Sequence, residues 1–416
     1  MEYIYDVNTA KSDKNARFGI YFCHMINNIL ELFLSTFLIA HIYSFSSDLY
    51  DYIFKVSIYE VVTYSVMLVT YFMASKIVCK TNRISVYRVS TLIWGSFVVF
   101  TVFYGENLAN LIWLAGILLG LARGVYWASY NVLKQEMIGK RKMSNFSTYT
   151  KVIEKIVSIV FPITLGALIE VASYSNTAII VLVLCIVQIA MSFIVKSKHP
   201  KNSDFKLKPY FKRLKDGSEL SKRLKFLYLS AFVYGANTIV STLIYVCIMI
   251  QFGSNLSLGI ITSIIAIVTL TAAYLIGKHT KEGKRNALYI ISAIVPILSV
   301  VLFIFVPSKA TIIILNFAIS VSGIVFKLIY DIYRNKFLKE YGRYDDIAEH
   351  QGVFEAVLAI SRIVTYLILF AVSFLKSALA FNIMLFIFVA LHASNLILLL
   401  IFEKKFVATK TTEEAA

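Results

Sequence analysis

Five polar side chains, His24, Asn27, Asn28, Glu31 and Ser35, recur inside a run that is otherwise apolar. Their i, i+3, i+4, i+7, i+11 spacing puts them on one face of a helix. A second run, LGLARGVYWASYN at 119–131, sets Arg123, Tyr126, Trp127 and Tyr130 along another stripe. Two further runs carry Tyr234, Asn237, Thr238, Ser241 and Tyr245, and then Asn316, Ser320, Lys327 and Asp331. The chemistry open to such sets is the binding of protons and small solutes. A carboxyl in an apolar run can titrate, because desolvation favours the acid and a nearby arginine favours the carboxylate. Glu31 is the candidate to do so. Arg123 is a permanent cation. Lys327 could hold an anion, pair with Asp331 one turn on, or snorkel to an interface. Tyr126, Trp127, Tyr130 and Tyr234 could stack on a cyclic or amphipathic solute, or simply fill space.

These stripes need elements that can carry them through lipid. The chain has 416 residues, 58% hydrophobic and only 16% charged, with a mean hydropathy of +0.74. A soluble domain has about 45–50% apolar and about 25% charged residues, so lipid must solvate much of this chain. A span needs about 20 apolar residues. Runs of that kind occur near 18–43, 53–75, 87–104, 109–131, 149–170 and 176–195, and again near 226–252, 257–277, 286–306, 309–331, 350–375 and 378–402. The expected architecture is an all-α integral membrane protein of twelve transmembrane helices in two pseudo-symmetric six-helix bundles. The expected division is 1–195, a basic linker 196–225, 226–402 and a tail 403–416.

The formal charge of +17 is explained by where it falls. Alternate loops, the linker and both ends hold 34 Lys and Arg, against Lys309 and Lys376 in the opposite loops. That asymmetry places both termini in the cytoplasm and removes the need for a nucleic-acid partner. The linker's basic residues would lie along an anionic inner leaflet. The polar N-terminus lacks a signal-peptide core, so the first helix should direct insertion. Cys23, Cys79, Cys185 and Cys247 lie far apart with no CxxC pair, which supports neither a metal nor a redox site. His24 and His392 lack metal-ligand partners at useful spacing.

The halves repeat. YFMASKIVCKTNRISVY (71–87) and YLIGKHTKEGKRNALY (274–289) align Lys76 with Lys278, Arg83 with Arg285 and Tyr87 with Tyr289, and Tyr130-Asn131 is echoed by Tyr330-Asp331. On this repeat, the six-plus-six plan and the central basic linker, the chain resembles the major facilitator superfamily. The loop after helix two keeps the family's basic cluster in Lys76, Lys80 and Arg83 but has no acid. The second copy has Gly277 and Gly283-Lys284-Arg285, with Glu282 out of register. The antiporter signature of helix five is reduced to Pro162 and Gly166, which argues against proton-driven drug antiport. The resemblance implies a secondary transporter with helices one, four, seven and ten along its pathway.

A charge at the bilayer centre costs roughly 2.5–3.5 kcal/mol on insertion scales, and so faces the protein interior or water. Glu31 and Arg123 fall near mid-span by residue count, and the preferred reading has them facing one another. The family often uses an acid on helix one and an arginine on helix four in this way. Two roles stay open: a pair opened by substrate and proton, or a permanent bridge between helices. Glu60 on helix two and Arg362 on helix eleven both fall in the outer half, and the resemblance implies that those helices meet, so a gating bridge is expected. Glu154, Lys155 and Glu355 read as inner-gate or interfacial charges.

No Ser/His/Asp set, phosphate loop or catalytic carboxylate pair can be placed, so an enzyme, including one acting on lipid, is not expected. The functional expectation is a secondary active transporter of a small organic solute, anionic or amphipathic, working by alternating access. Glu31 is the expected coupling group, with protons or sodium as the ion. The alternatives are a flippase for lipid or lipid-linked substrates, or multidrug efflux, on the same fold. The expected partners are the solute and membrane lipid, with no cofactor, in a monomer. A composition rich in Ile, Lys, Asn and Tyr points to a bacterial cell membrane.

Overall fold

The computed structural model describes residues 7–105, 107–137, 139–195, 205–279, 286–340 and 347–406. Glu282, Gly283, Lys284 and Arg285 of the second basic loop, residues 196–204 of the linker and 407–416 of the tail lie outside them. A chain in lipid must satisfy every backbone N–H and C=O internally, and a helix does so within one segment. The described residues contain twelve helices long and apolar enough to cross a membrane. They are α1 Asn15–Ser44, α2 Leu49–Lys80, α3 Arg83–Tyr104, α4 Ile112–Leu133, α5 Tyr149–Ala172 and α6 Tyr174–Ser192, then α7 Ser221–Phe252, α8 Asn255–Ile276, α9 Asn286–Phe305, α10 Lys309–Arg334, α11 Glu349–Leu375 and α12 Ala378–Phe402. No strand occurs among the described residues.

Several helices run past their apolar cores. α2 starts at Leu49 and ends at Lys80, beyond the apolar run at 53–75. Backbone hydrogen bonding does not stop where hydropathy does, and an amphipathic face can hold the extra turns. The polar linker also contains a short helix, Leu207–Leu214. Tyr210 and Leu214 on one side of it are buried against Leu224 and Val353, with Tyr228 and Val357 alongside. Composition had hidden that apolar face among lysines.

The chain falls into two compact units, Met1–Ser46 with Ile58–Phe205, and Ser47–Ser57 with Lys206–Ala416. In the first, Ile20, Cys23, Tyr87, Tyr126, Tyr130 and Leu133 form a core between α1, α3 and α4. In the second, α7, α10 and α12 meet through Leu227, Phe326, Ile329, Leu396 and Leu399. Phe54, at the start of α2, clusters with the second unit and stacks on Phe370 of α11 at 5.3 Å. On α6, Ile179, Val183 and Ile186 are exposed, as are Ile290, Ile294 and Leu298 on α9. Apolar stripes of that kind belong against lipid tails.

Candidate functional site

The first unit brings Arg123 to Glu31 by shaping α4. Gly116 and Gly120 face α2 at backbone contact. A Cβ on Gly120 would lie 2.6 Å from the Thr63 carbonyl oxygen, and one on Gly116 2.7 Å from that of Tyr59. Small residues every fourth position permit this approach. The Thr70 hydroxyl also donates to the Gly120 carbonyl at 3.2 Å. With its glycine face on α2, α4 turns Arg123 towards α1.

There Nε of Arg123 donates to Oε1 of Glu31 at 2.7 Å, and the NH2 nitrogen reaches the same oxygen at 2.5 Å. The fork closes on one carboxylate oxygen. The other guanidinium nitrogen, NH1, and Glu31 Oε2 have no hydrogen-bond partner among the described residues. The arginine side chain is 9% exposed and the glutamate 28%. Tyr64 of α2 places its ring 5.7 Å from the guanidinium carbon, a cation–π distance. Glu60, buried on the same helix, also acts electrostatically on Arg123. Directly after Glu31 the helix widens into a π turn, Leu32–Phe37. Such turns occur frequently at functional sites.

Tyr126 and Tyr130 do not stand open. Both are buried, and they stack on each other at 5.4 Å. His24 completes the stack, 4.5 Å from Tyr130 and nearly parallel to it. Its Nδ1 is 2.8 Å from the Tyr126 hydroxyl, and its Nε2 is 3.1 Å from Oε1 of Glu154 on α5. Trp127, half-buried, meets the imidazole edge-on. Asn28 donates to the His24 carbonyl at 2.8 Å. Asn27 is buried, and its side-chain oxygen has no partner among the described residues.

The second unit holds the remaining candidates. Tyr234 of α7 stacks on Phe326 of α10 at 5.0 Å. Asn237 is buried, with neither amide atom hydrogen-bonded among the described residues. Lys327 is exposed. Arg362 donates from Nε to the Thr238 hydroxyl at 3.1 Å. Glu60 thus lies in the first unit and Arg362 in the second. Among the described residues no group of three or more His, Cys, Asp or Glu is placed to hold a metal. The four cysteines are buried free thiols.

Sequence reasoning missed the pairing of His24 with Glu154, 130 residues apart. The available signal was position: His24 sits seven residues before Glu31 on one stripe.

The family model described as Major Facilitator Superfamily matches residues 18–343. The uncharacterized protein YqgE of Bacillus subtilis (strain 168) is 23% identical over 282 residues, which cover 66% of this chain and 64% of that protein. The match therefore spans just under two thirds of that relative's length. Among solved structures, a POT family transporter in complex with 5-aminolevulinic acid superposes with a TM-score of 0.71 at 11% identity, covering 94% of this chain and 96% of the other. The nucleoside transporter NupG gives 0.68 at 12% identity, over 93% of this chain and 99% of the other. The human organic anion transporter MFSD10 gives 0.65 at 12% identity, also over 93% and 99%. At these identities the likeness is one of fold.

Proposed function

This chain belongs to the Major Facilitator Superfamily, and from that premise we propose that it is a secondary active transporter of a small organic solute bearing a negative charge, coupled to protons through Glu31. The supporting observation is the half-used ion pair. Arg123 turns two of its nitrogens to one oxygen of Glu31 and keeps the third. That nitrogen is buried in this conformation, and a carboxylate-bearing solute takes it, without first breaking the pair, once the site opens. Protonation of Glu31 then removes the competing charge and hands the whole fork to the solute. Loss of the proton returns Arg123 to Glu31 and releases the solute. Asn27 and Asn28 beside the pair offer neutral donors and acceptors. Half-buried Trp127 offers the solute an aromatic edge, with Tyr126 and Tyr130 packed behind it.

The rest of the reading follows the same charge logic. Lys327, Tyr234 and Asn237 are assigned to the solute pathway of the second unit, as a cation, an aromatic and an amide contact. Glu60 and Arg362 are assigned gating roles. The structural relatives named for 5-aminolevulinic acid and for organic anions fit a small charged solute. The distribution of Lys and Arg orients both termini to the cytoplasm, in the division 1–195, 196–225, 226–402 and 403–416.

Proteoliposome uptake of radiolabelled organic anions, zwitterions and nucleosides tests this, with a parallel fluorescent-lipid flipping arm. The expected result is uptake of an anionic solute driven by an imposed pH gradient. Glu31→Gln should lose gradient-driven uptake yet keep solute–solute exchange. Loss of both in a folded Glu31→Gln variant makes Glu31 structural or a solute ligand. Flipping without solute uptake rejects the transporter reading in favour of a flippase.

A further inference from the structure

His24 lies two turns of α1 from Glu31, about 10 Å along the helix axis. Its ring is 1% exposed, yet both ring nitrogens are engaged. Tyr130 covers one face, and Trp127 closes the edge at 6.2 Å. Glu154, which touches the buried imidazole, has a side chain 40% exposed. The same carboxyl is therefore exposed on one side and meets a sealed ring on the other.

The geometry accepts the ring in two charge states. In the neutral ring one nitrogen donates and the other accepts; in the cation both donate. With Nδ1–H donating to the Tyr126 oxygen, Nε2 can accept from a protonated Glu154 or, once protonated, donate to its carboxylate. The step balances: the Glu154 O–H bond breaks, the Nε2–H bond forms, and the products are an imidazolium and a carboxylate. The Nδ1–H bond to Tyr126 is untouched, and no heavy atom needs to move. A proton site requires that kind of tolerance.

The other groups around the ring set its field. α4 brings the Tyr126 and Tyr130 phenols, and Arg123 lies one turn before Tyr126. α3 brings Tyr87, which packs on Tyr126 at 5.8 Å. α5 brings Glu154, with Lys151 and Lys155 beside it in sequence. α6 brings the neutral Gln188, bound to the Cys23 backbone at 3.0 Å. α1 itself adds Arg17, Tyr21 and the Cys23 thiol. The carboxylate in direct contact with the imidazole is that of Glu154.

We propose that His24 is a proton-binding site of this transporter, loaded through Glu154 and separate from the Glu31–Arg123 pair. Its part in coupling rests on the transport reading above, but the binding of the proton does not. Trp127 is the built-in reporter, because an imidazolium against an indole quenches its emission. Full-length protein in lipid nanodiscs is titrated from about pH 8 to about pH 5, the range in which histidine ordinarily changes charge. Subtracting the Trp127→Phe signal isolates Trp127 from the other two tryptophans.

The expected result is a one-proton loss of Trp127 emission that disappears in His24→Gln. In Glu154→Gln its midpoint moves by about one pH unit or more, the usual effect of a charge in contact. Superimposable curves for wild type and His24→Gln overturn the site, and an unmoved midpoint in Glu154→Gln overturns loading through that carboxyl. Should His24→Gln not fold, nitrogen-15 histidine spectra of the wild type decide. A resonance perturbed by Tyr126→Phe that keeps one protonation form across the range also overturns the site. No solute is present, so a failed titration leaves the Glu31–Arg123 reading intact, and a failed uptake assay leaves the titration intact.

Discussion

The first helix of each unit receives an arginine, and what meets it differs. On α1 the guanidinium of Arg123 closes on the Glu31 carboxylate. On α7 that of Arg362 donates to the Thr238 hydroxyl. A carboxylate in contact neutralises the charge it binds; a hydroxyl does not, and Glu355, two turns before Arg362 on α11, acts on it electrostatically instead. The backbones differ in parallel. α4 is drawn onto α2 through Gly116 and Gly120; in the second unit Gly235 of α7 meets α11, where a Cβ would lie 2.9 Å from the Leu358 carbonyl oxygen, whereas one on Gly323 of α10 would meet only His392 Cε1, at 3.6 Å. The two units share a helical plan and both use glycine contacts, but in the first these hold the arginine's helix to a third helix, and in the second they join it to the helix that receives the arginine. The second uses neutral side-chain bonds such as Thr242 to Tyr366 at 2.6 Å and His392 to Ser322 at 3.0 Å. Pseudo-symmetry of helices therefore does not carry over to the interior.

Removing each arginine tests this difference with the largest effect. Arg123→Gln leaves a largely buried carboxylate without its partner, which costs about 3–5 kcal/mol when the pair is well buried. Glu31 is partly exposed, so the lower end is expected. Arg362→Gln loses a charged hydrogen bond to a neutral group, about 1.5–3 kcal/mol. Thermal unfolding in matched detergent should show the larger drop for Arg123→Gln. The double variant Glu31→Gln with Arg123→Gln should recover most of it. Equal losses for the two arginines would erase the distinction.

Glycine substitution probes the backbone half of the comparison. Gly120→Ala pushes a methyl to 2.6 Å from a carbonyl oxygen, so α4 must move off α2. Overpacking of that kind costs about 1–3 kcal/mol. Gly323→Ala enters ordinary contact distance, and alanine favours a helix over glycine by about 1 kcal/mol in water. Melting temperatures should fall for the first and hold or rise for the second. The first should also weaken any function assigned to Arg123, since that helix carries it.

The same contrast explains what the sequence could and could not reveal. Apolar length alone announced the helices. Glu31 and Arg123 stood out because charges are costly in mid-span, and that cost leads directly to a pair. The four-residue spacing of Gly116, Gly120, Gly124 and Ala128 marks a packing face, though it does not show that α2 covers it. Bonds between neutral or distant groups left no such mark. Nothing in the local pattern ties His24 to Glu154, or Tyr210 of the linker helix to His350 of α11 at 3.0 Å. A π turn at Leu32–Phe37 is also invisible to hydropathy, since the same residues would suit an α-helix.

The smallest test concerns how helices start in the two units. α3 is capped by Asn82, whose side chain accepts from the Ile84 amide at 3.1 Å. The helix containing α7 begins after Ser218, whose hydroxyl accepts from the Ser221 amide at 3.2 Å, while Asp216 accepts from the Ser218 amide at 2.9 Å. Either cap is worth about 1 kcal/mol against alanine. Only the second involves a carboxylate. Hydrogen bonds from the Ser218 side chain and backbone, aided by Lys225, hold Asp216 below its usual range. A carboxyl lowered on folding adds stability above its unfolded pKa and loses it as pH falls through the folded value. Asp216 is fully exposed, so its share is small. Asn82→Ala should therefore lower the melting temperature by the same amount at neutral and acid pH. Ser218→Ala should cost progressively less as pH falls from about 4 through the lowered folded value, where the carboxylate takes up its proton. Asp216→Asn should abolish that difference. A pH-independent Ser218→Ala would show that the carboxylate contributes nothing to this cap.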